Sequence, residues 1–135
     1  MQPRHRASMR ARAGNMKFAY YLPVFVAYTD DLPDIAGGMA LYRFLWGKIK
    51  IRPKYVNDQG ILKHELQHLK IYARAPVVNW IRSRLSKKVQ YQFELECYRV
   101  QLRYSPWDID TFAFFLANKY GFNVTEQQAK TDLLR

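Results

Sequence analysis

The hydrophobic pattern of this chain changes near its middle. Between residues 18 and 51, apolar residues form a continuous run or alternate with polar ones, and β-branched and aromatic types are common. Both patterns are typical of strands. From residue 61 onwards, apolar positions recur every three or four residues, which is the period of an amphipathic helix. Strands are therefore expected first and helices afterwards, which predicts an α+β fold.

The strand half contains two apolar runs with a polar loop between them. The first run, Phe18 to Tyr28, is too short to cross a bilayer as a helix, and Pro23 and the valines favour a buried or edge strand over a secretion signal. A loop rich in Asp, Pro and Gly follows at residues 29–38. Residues 39–53 alternate on both sides of Gly47 and predict a β-hairpin or a bent strand. We expect a small antiparallel sheet.

Three to five helices are predicted after the sheet. The first long helix covers Ile61 to Tyr72, with Asn57 or Asp58 as its N-cap. A later helix has Pro106 at its first position and Gly121 at its C-cap. The other segments with helical signals are residues 76–85, about 90–104, and a short stretch after Thr125, where Gln128 completes a capping box.

Length and composition predict one folded domain behind a basic arm. A chain of 135 residues with 49% hydrophobic residues can build one core and has too much apolar surface to remain disordered. Residues 1–15 lack an apolar period and hold several arginines without an acid, so we expect a disordered basic arm with Met16 as an alternative start. The domain is then residues 16–135.

The charge and the single cysteine restrict partners and metal ligands. The net charge of +11 indicates an anionic partner such as nucleic acid, a phospholipid surface or a cell-wall polymer, and leaves oligomeric state open. Cys97 is the only cysteine, which excludes an internal disulfide and a thiolate pair, so metal ligands should be histidines and carboxylates. With no convincing signal segment, these features favour a cytoplasmic protein without excluding secretion.

The strongest chemical signal is the stretch HELQH on the first long helix. His64 and His68 are four residues apart and therefore share one helical face, where their imidazoles can bind one metal ion. Glu65 lies beside that ion rather than on it, which suits a general base for a water that Zn²⁺ has acidified. A chance occurrence in a chain of this length is rare, so the motif predicts a Zn²⁺ site with catalytic Glu65.

A catalytic zinc site needs a third protein ligand, and the sequence leaves two choices. The remaining histidine, His5, lies in the predicted arm, so the ligand should be a downstream carboxylate. Glu94 and Glu96 lie about 200° apart on one helix and cannot both face the metal. Glu96 is preferred because the small Cys97 after it would let two helices pack closely. Glu94 is the alternative ligand, or else a solvent-facing residue or an acceptor for a histidine N–H.

The motif resembles that of the zincin metallopeptidases, and within them the gluzincins, in which a glutamate on a later helix completes the site. It is also similar to small zincin-like proteins of phages and bacteria. The resemblance rests on His64, Glu65, His68 and Glu96 and covers residues 57–104. It implies a minimal zinc-dependent peptidase acting on a peptide or protein. It also implies substrate binding on an edge strand above the helix, for which ALYRFLW and KIKIRP are the two candidates.

A second hypothesis explains the charge without catalysis. Basic residues interleaved with Trp80, Tyr91 and Trp107 could bind nucleic acid, with a structural or degenerate zinc site beside them. Such binding would weaken steeply with salt and survive Glu65→Gln. The sequence assigns no residue to oxyanion stabilisation, although Tyr91, Tyr98 and Tyr104 lie near the Glu96 segment.

Overall fold

A computed structural model describes residues 13–19, 22–34, 36–43 and 45–135, with residues 13–19 described by their backbone alone. Four strands precede the α-helices, which confirms the α+β class and the order of elements. The strands are β1 (Ala13–Ala19), β2 (Leu22–Tyr28), β3 (Gly38–Tyr42) and β4 (Gly47–Ile51). The α-helices are α1 (Gln59–Arg74), α2 (Val78–Leu85), α3 (Lys87–Leu102), α4 (Ile109–Asn118) and α5 (Glu126–Leu134). Short 3₁₀ turns at Pro53–Tyr55 and Pro106–Asp108 precede α1 and α4.

The sheet has the strand order β1-β2-β4-β3, so β3 forms an edge. The hairpin predicted around Gly47 is confirmed, because β3 and β4 pair antiparallel. The sheet is mixed rather than wholly antiparallel, since β4 returns parallel to β2 with Val26 opposite Ile49. The loop at residues 29–37 and β3 lie between β2 and β4 in the sequence. They allow the chain to return so that β4 runs parallel to β2, whereas a two-residue hairpin can join only antiparallel strands.

The first apolar run forms two strands instead of one. β1 and β2 pair antiparallel, with Phe18 opposite Pro23 and a register irregularity between Ala13 and Met16. β1 therefore includes Ala13, which corrects the boundary expected at residue 15 for the basic arm. Residues 1–12 of that arm lie outside the described part of the chain.

Local signals explain where most helices begin. Asp58 caps α1 through its carboxylate, which accepts from the Ile61 amide at 3.1 Å, as predicted. Thr125 accepts from the Gln128 amide at 3.0 Å at the start of α5, which confirms that cap. Pro106 opens a 3₁₀ turn rather than the α-helix itself. Gly121 adopts a φ of +71° after α4, the left-handed conformation expected of a C-terminal glycine.

The start of α2 departs from expectation. The helix was predicted from Pro76 but begins at Val78. Val77 has a φ of +70° and a ψ of −50°, and the Val78 amide donates to the Pro76 carbonyl at 2.8 Å. These features define a γ-turn centred on Val77, a strained conformation for a β-branched residue.

Two apolar clusters hold the fold together. One lies between the sheet and α1 and includes Val24, Ile49, Leu62, Leu66 and Leu69. The other joins α3, α4 and α5; its buried members include Leu95, Tyr98, Phe112, Leu116 and Leu133. Because α1 packs against α3, the helix carrying HELQH lies between the two clusters. Within the described residues, no helix is long and apolar enough to cross a bilayer.

Candidate zinc site

α1 presents its histidines on the side opposite the sheet. Leu62, Leu66 and Leu69 pack on the strands, so the rotation of 100° per residue turns His64 and His68 towards α3. Both imidazoles are largely buried, and their ring centroids are 5.1 Å apart. The edge of the Tyr98 ring on α3 packs against His64, with the centroids 4.4 Å apart.

The carboxylate of Glu94 meets both histidines. Its Oε1 lies 3.1 Å from Nε2 of His68, and its Oε2 lies 3.5 Å from Nε2 of His64. Glu94 is itself buried, with 7% of its surface exposed. Two ligands about 2.0–2.1 Å from one tetrahedral ion lie about 3.3 Å apart, so these donor spacings fit a shared metal.

Glu96 lies elsewhere, which corrects the preference for it as third ligand. Its carboxylate accepts from Gln67 Nε2 at 2.9 Å and pairs with Arg74 on the outer side of the α1–α3 contact. The preference rested on the size of the neighbouring Cys97 and ignored the helical stripe. Glu94 belongs to the buried stripe of α3 that also contains Tyr91, Tyr98 and Gln101, and Glu96 does not.

The electrostatics of the site favour an ionised Glu94. Burial works to raise the pKa of Glu94, but the imidazoles of His68 and His64 outweigh it and hold that pKa well below its ordinary value. Burial would lower the pKa of His68, whereas the neighbouring Cys97 and Glu94 raise it well above its ordinary value. Without a metal, a proton therefore links His68 to Glu94.

Two buried atoms of the site have no hydrogen bond from any described residue. They are Oε2 of Glu94 and Nδ1 of His64. A buried carboxylate oxygen without a donor carries a desolvation cost that a cation would offset. His64, His68 and Glu94 supply two imidazoles and one carboxylate, a combination of ligand types that catalytic zinc sites use. The residues of this chain therefore fit a zinc ion.

Cys97 also approaches the histidines, a contact that no local pattern in the sequence predicts. Donor atoms of His64, His68 and Cys97 all lie within 4.8 Å of one another. The cysteine is fully buried, and burial raises the pKa of its thiol to about 11. It is therefore protonated at neutral pH, while Glu94 is already an anion. A metal bound by Cys97 would have to displace this proton, whereas Glu94 needs no such step, and both side chains lie beside the two imidazoles.

Glu65 is positioned against the edge strand. It is buried, and burial raises the pKa of its carboxyl, an effect that His64 and His68 oppose. A Cβ on Gly38 would lie 3.2 Å from Glu65 Oε1 and 3.3 Å from Glu65 Cγ. The absence of a side chain at Gly38 thus lets the start of β3 approach the Glu65 carboxylate closely.

A cavity of about 510 Å³ opens over these residues. One wall is the segment 36–40, which includes the start of β3, and the floor contains His64, Glu65, His68 and Glu94. The opposite wall comes from the α4 region and includes Phe112, Phe115, Lys119 and Tyr120. The site is consequently a cleft between the sheet and the helical cluster, with the imidazoles at its base.

Two tyrosines in this cleft are hydrogen-bonded to each other. The hydroxyls of Tyr98 and Tyr120 are 2.7 Å apart. Burial raises the pKa of Tyr98 and of Tyr120 far above the ordinary value, so both remain neutral donors. Because one hydroxyl donates to the other, one O–H of the pair is left for a further acceptor. The two other tyrosines near Glu96 in the sequence lack such a free donor in the cleft: Tyr91 donates to Asp132 at 2.6 Å, and Tyr104 is exposed.

The edge strand offers backbone groups to the same cleft. The backbone amide of Arg43 donates to the Trp46 carbonyl, and the backbone amide of Arg52 donates to the Gly37 carbonyl. The odd-numbered residues of β3 therefore point their amides and carbonyls at β4. In an antiparallel pair the alternate residues point the other way. Gly38, Ala40 and Tyr42 therefore direct theirs away from β4, past the sheet edge. Of the two candidate segments, ALYRFLW contributes this edge, and KIKIRP forms the internal β4.

The aromatic residues of the nucleic-acid hypothesis differ in exposure. Tyr91 is buried in the helical cluster, whereas Trp80 and Trp107 are exposed on different elements.

The chain matches no protein-family model, and no curated protein or solved structure is significantly similar to it. The likeness to zincins therefore rests on the motif and on the geometry around it.

Proposed function

We propose that this protein is a zinc-dependent peptidase with a minimal site formed by α1, α3 and β3. His64, His68 and Glu94 would hold the ion, and Glu65 would serve as the general base. The observation that supports this most directly is the buried carboxylate of Glu94, with its two oxygens 3.1 and 3.5 Å from the Nε2 atoms of the histidines. A helix that merely displayed two polar histidines would not need a buried anion between them.

Zinc in this position would act as a Lewis acid towards the peptide carbonyl and would lower the pKa of a water molecule. Glu65 is suited to take that water's proton and to deliver it to the leaving amine, because it lies next to the ligands without being one of them. Burial, which raises the pKa of its carboxyl, strengthens it as a base.

The substrate would bind as an added strand along β3. The outward amides and carbonyls of Gly38, Ala40 and Tyr42 can pair with an extended peptide, which would pass over Glu65 and the histidines. Gly38 allows β3 to approach Glu65 closely, so that the scissile carbonyl of a bound peptide would lie near the water whose proton Glu65 takes. An extended backbone, rather than a particular side chain, is the feature recognised by this edge.

Oxyanion stabilisation is assigned to the tyrosine pair. The free O–H of Tyr98 or Tyr120 is a neutral donor in the cleft, held in place by its partner hydroxyl at 2.7 Å. Charge that develops on a carbonyl oxygen during attack is stabilised by such a preorganised donor. The sequence offered no means of selecting Tyr120, which lies on the segment after α4 and outside the HELQH and Glu94 elements.

The proposal is tested with peptides of many sequences. Zinc-loaded protein is incubated with a peptide pool made from unrelated proteins, and new termini are identified by mass spectrometry. We expect cleavage by the wild type and by Glu96→Gln, and a loss of at least about a hundredfold for Glu65→Gln with zinc retained. Zinc-loaded wild type that cleaves no peptide would contradict a peptidase and favour a zinc ion that only stabilises the fold. Equal cleavage by Glu65→Gln would contradict the assignment of Glu65 as the general base.

A further inference from the structure

α2 exposes apolar residues to solvent and buries a polar one. Its only buried residue is Asn79, whose side-chain amide donates to the Ile71 carbonyl at 2.7 Å. The apolar residues Val78, Ile81 and Leu85 face solvent instead, with 56%, 41% and 82% of their surfaces exposed. Their spacing of three and four residues puts them in one stripe, which we call the α2 apolar stripe. A surface helix normally buries such a stripe.

The charged residues nearest to the α2 apolar stripe in the sequence are all positive. From residue 66 to residue 93 the sequence contains no Asp or Glu, and it contains Lys70, Arg74, Arg82, Arg84, Lys87 and Lys88. Within the described residues, no carboxylate pairs with Arg82, Arg84 or Lys88. The guanidinium of Arg84 instead lies over the ring of Trp80, 5.2 Å from its centroid. Exposed leucine, tryptophan and arginine on one short helix suit the boundary between lipid headgroups and acyl chains.

We propose that the α2 apolar stripe docks this protein on an anionic phospholipid surface. Val78, Ile81 and Leu85 would enter the headgroup region, and Arg82, Arg84 and Lys88 would contact lipid phosphates. A second copy of the chain fits the stripe less well, because two copies would bring the same cations together without an acid to pair with them. Trp80 lies on another side of α2 and lines a smaller cavity of about 330 Å³ with Tyr42 of β3, so its ring is not part of the α2 apolar stripe.

The test measures binding of the full chain to lipid vesicles by co-sedimentation. Vesicles of phosphatidylcholine alone are compared with vesicles of phosphatidylcholine and phosphatidylglycerol. We expect binding only to the second kind, and we expect salt to weaken it because exposed charges are screened. Leu85→Ser should reduce the partition coefficient about tenfold, since most of one leucine side chain no longer leaves water. Arg82→Gln should reduce it about fivefold.

Leu134→Ser is the matched control, because Leu134 on α5 is also highly exposed and lies far from α2 in the chain. It should bind vesicles as the wild type does. No binding to the phosphatidylglycerol vesicles, or equal losses for Leu85→Ser and Leu134→Ser, would overturn the proposal. A dimer in solution that Leu85→Ser dissociates, with vesicle binding unchanged, would assign the stripe to self-association instead.

Discussion

Among the described residues, Glu94 is the carboxylate that forms ion-pair contacts with both imidazoles. It bonds to His68 while remaining buried, whereas Glu96, two residues later, pairs with Arg74 at the surface. Glu94 and Glu96 lie on opposite sides of α3 because two residues of helix correspond to a rotation of about 200°, which can be predicted from the sequence. The buried stripe of Tyr91, Glu94 and Tyr98 could have identified the ligand. The size of a neighbouring side chain could not.

The pH dependence of zinc binding follows from the proton on His68. Cys97 and Glu94 raise its pKa well above the ordinary value despite burial. Metal binding must displace that proton, so zinc affinity should rise by up to about tenfold per pH unit from weakly acidic to neutral pH. Calorimetry in buffers of different ionisation enthalpy would detect the released proton. An affinity independent of pH over this range would show that His68 is not a ligand.

Gly38→Ala tests the contact between the edge strand and the base. The new Cβ would lie 3.2 Å from Glu65 Oε1 and 3.4 Å from the Lys50 carbonyl, so a shift of a few tenths of an ångström is needed. We expect a folded protein with its zinc and about tenfold lower turnover, because small displacements of a base are costly. Wild-type turnover would mean that the close approach of β3 to Glu65 has no role in catalysis.

Tyr120→Phe tests the assigned oxyanion donor. The substitution removes one hydroxyl of the pair that lies 2.7 Å apart and keeps the ring. We expect kcat to fall about a hundredfold with little change in KM, since the donor acts on charge that develops only during reaction. Zinc content and thermal unfolding serve as controls. A change in KM alone would assign Tyr120 to substrate binding.

At the scale of elements, positions with a local chemical marker were predictable. Asp58 and Thr125 mark the starts of α1 and α5 by capping, and Gly47, where the alternating pattern divides, is the first residue of β4. The division of this run into β1 and β2 was not predicted because the sequence between the two strands contains no Gly, Asn or Asp. The parallel pairing of β2 with β4 depends on contacts between distant segments, which no local pattern encodes.

The γ-turn at Val77 gives a prediction about stability. A positive φ is unfavourable for a β-branched residue and unstrained for glycine, so Val77→Gly should stabilise the protein by about 1 kcal/mol. Val78→Gly is the matched control, since this valine lies within α2, where glycine should cost about 0.5–1 kcal/mol. Chemical denaturation would measure both values. Equal losses for the two variants would show that Val77 is not strained.

At the scale of the molecule, the site occupies the junction of two packed units. The sheet and α1 supply the edge strand, the base and the histidines, and the α3–α5 cluster supplies Glu94 and the tyrosines. The motif predicted the contribution of α1 because its spacing is local. The contributions of Gly38 and Tyr120 arise from packing between segments far apart in sequence. These residues could be found only after folding brought them into one cleft.

In the proposed zinc site, Glu94 completes the ligand set with His64 and His68. The most direct test of this ligand set is zinc per chain, measured by elemental analysis for wild type, Glu94→Gln, Glu96→Gln and Cys97→Ser. We predict near-stoichiometric zinc for wild type and Glu96→Gln, little change for Cys97→Ser, and a loss of at least about tenfold in affinity for Glu94→Gln. Full zinc retention by Glu94→Gln, or loss in Cys97→Ser alone, would contradict this ligand set.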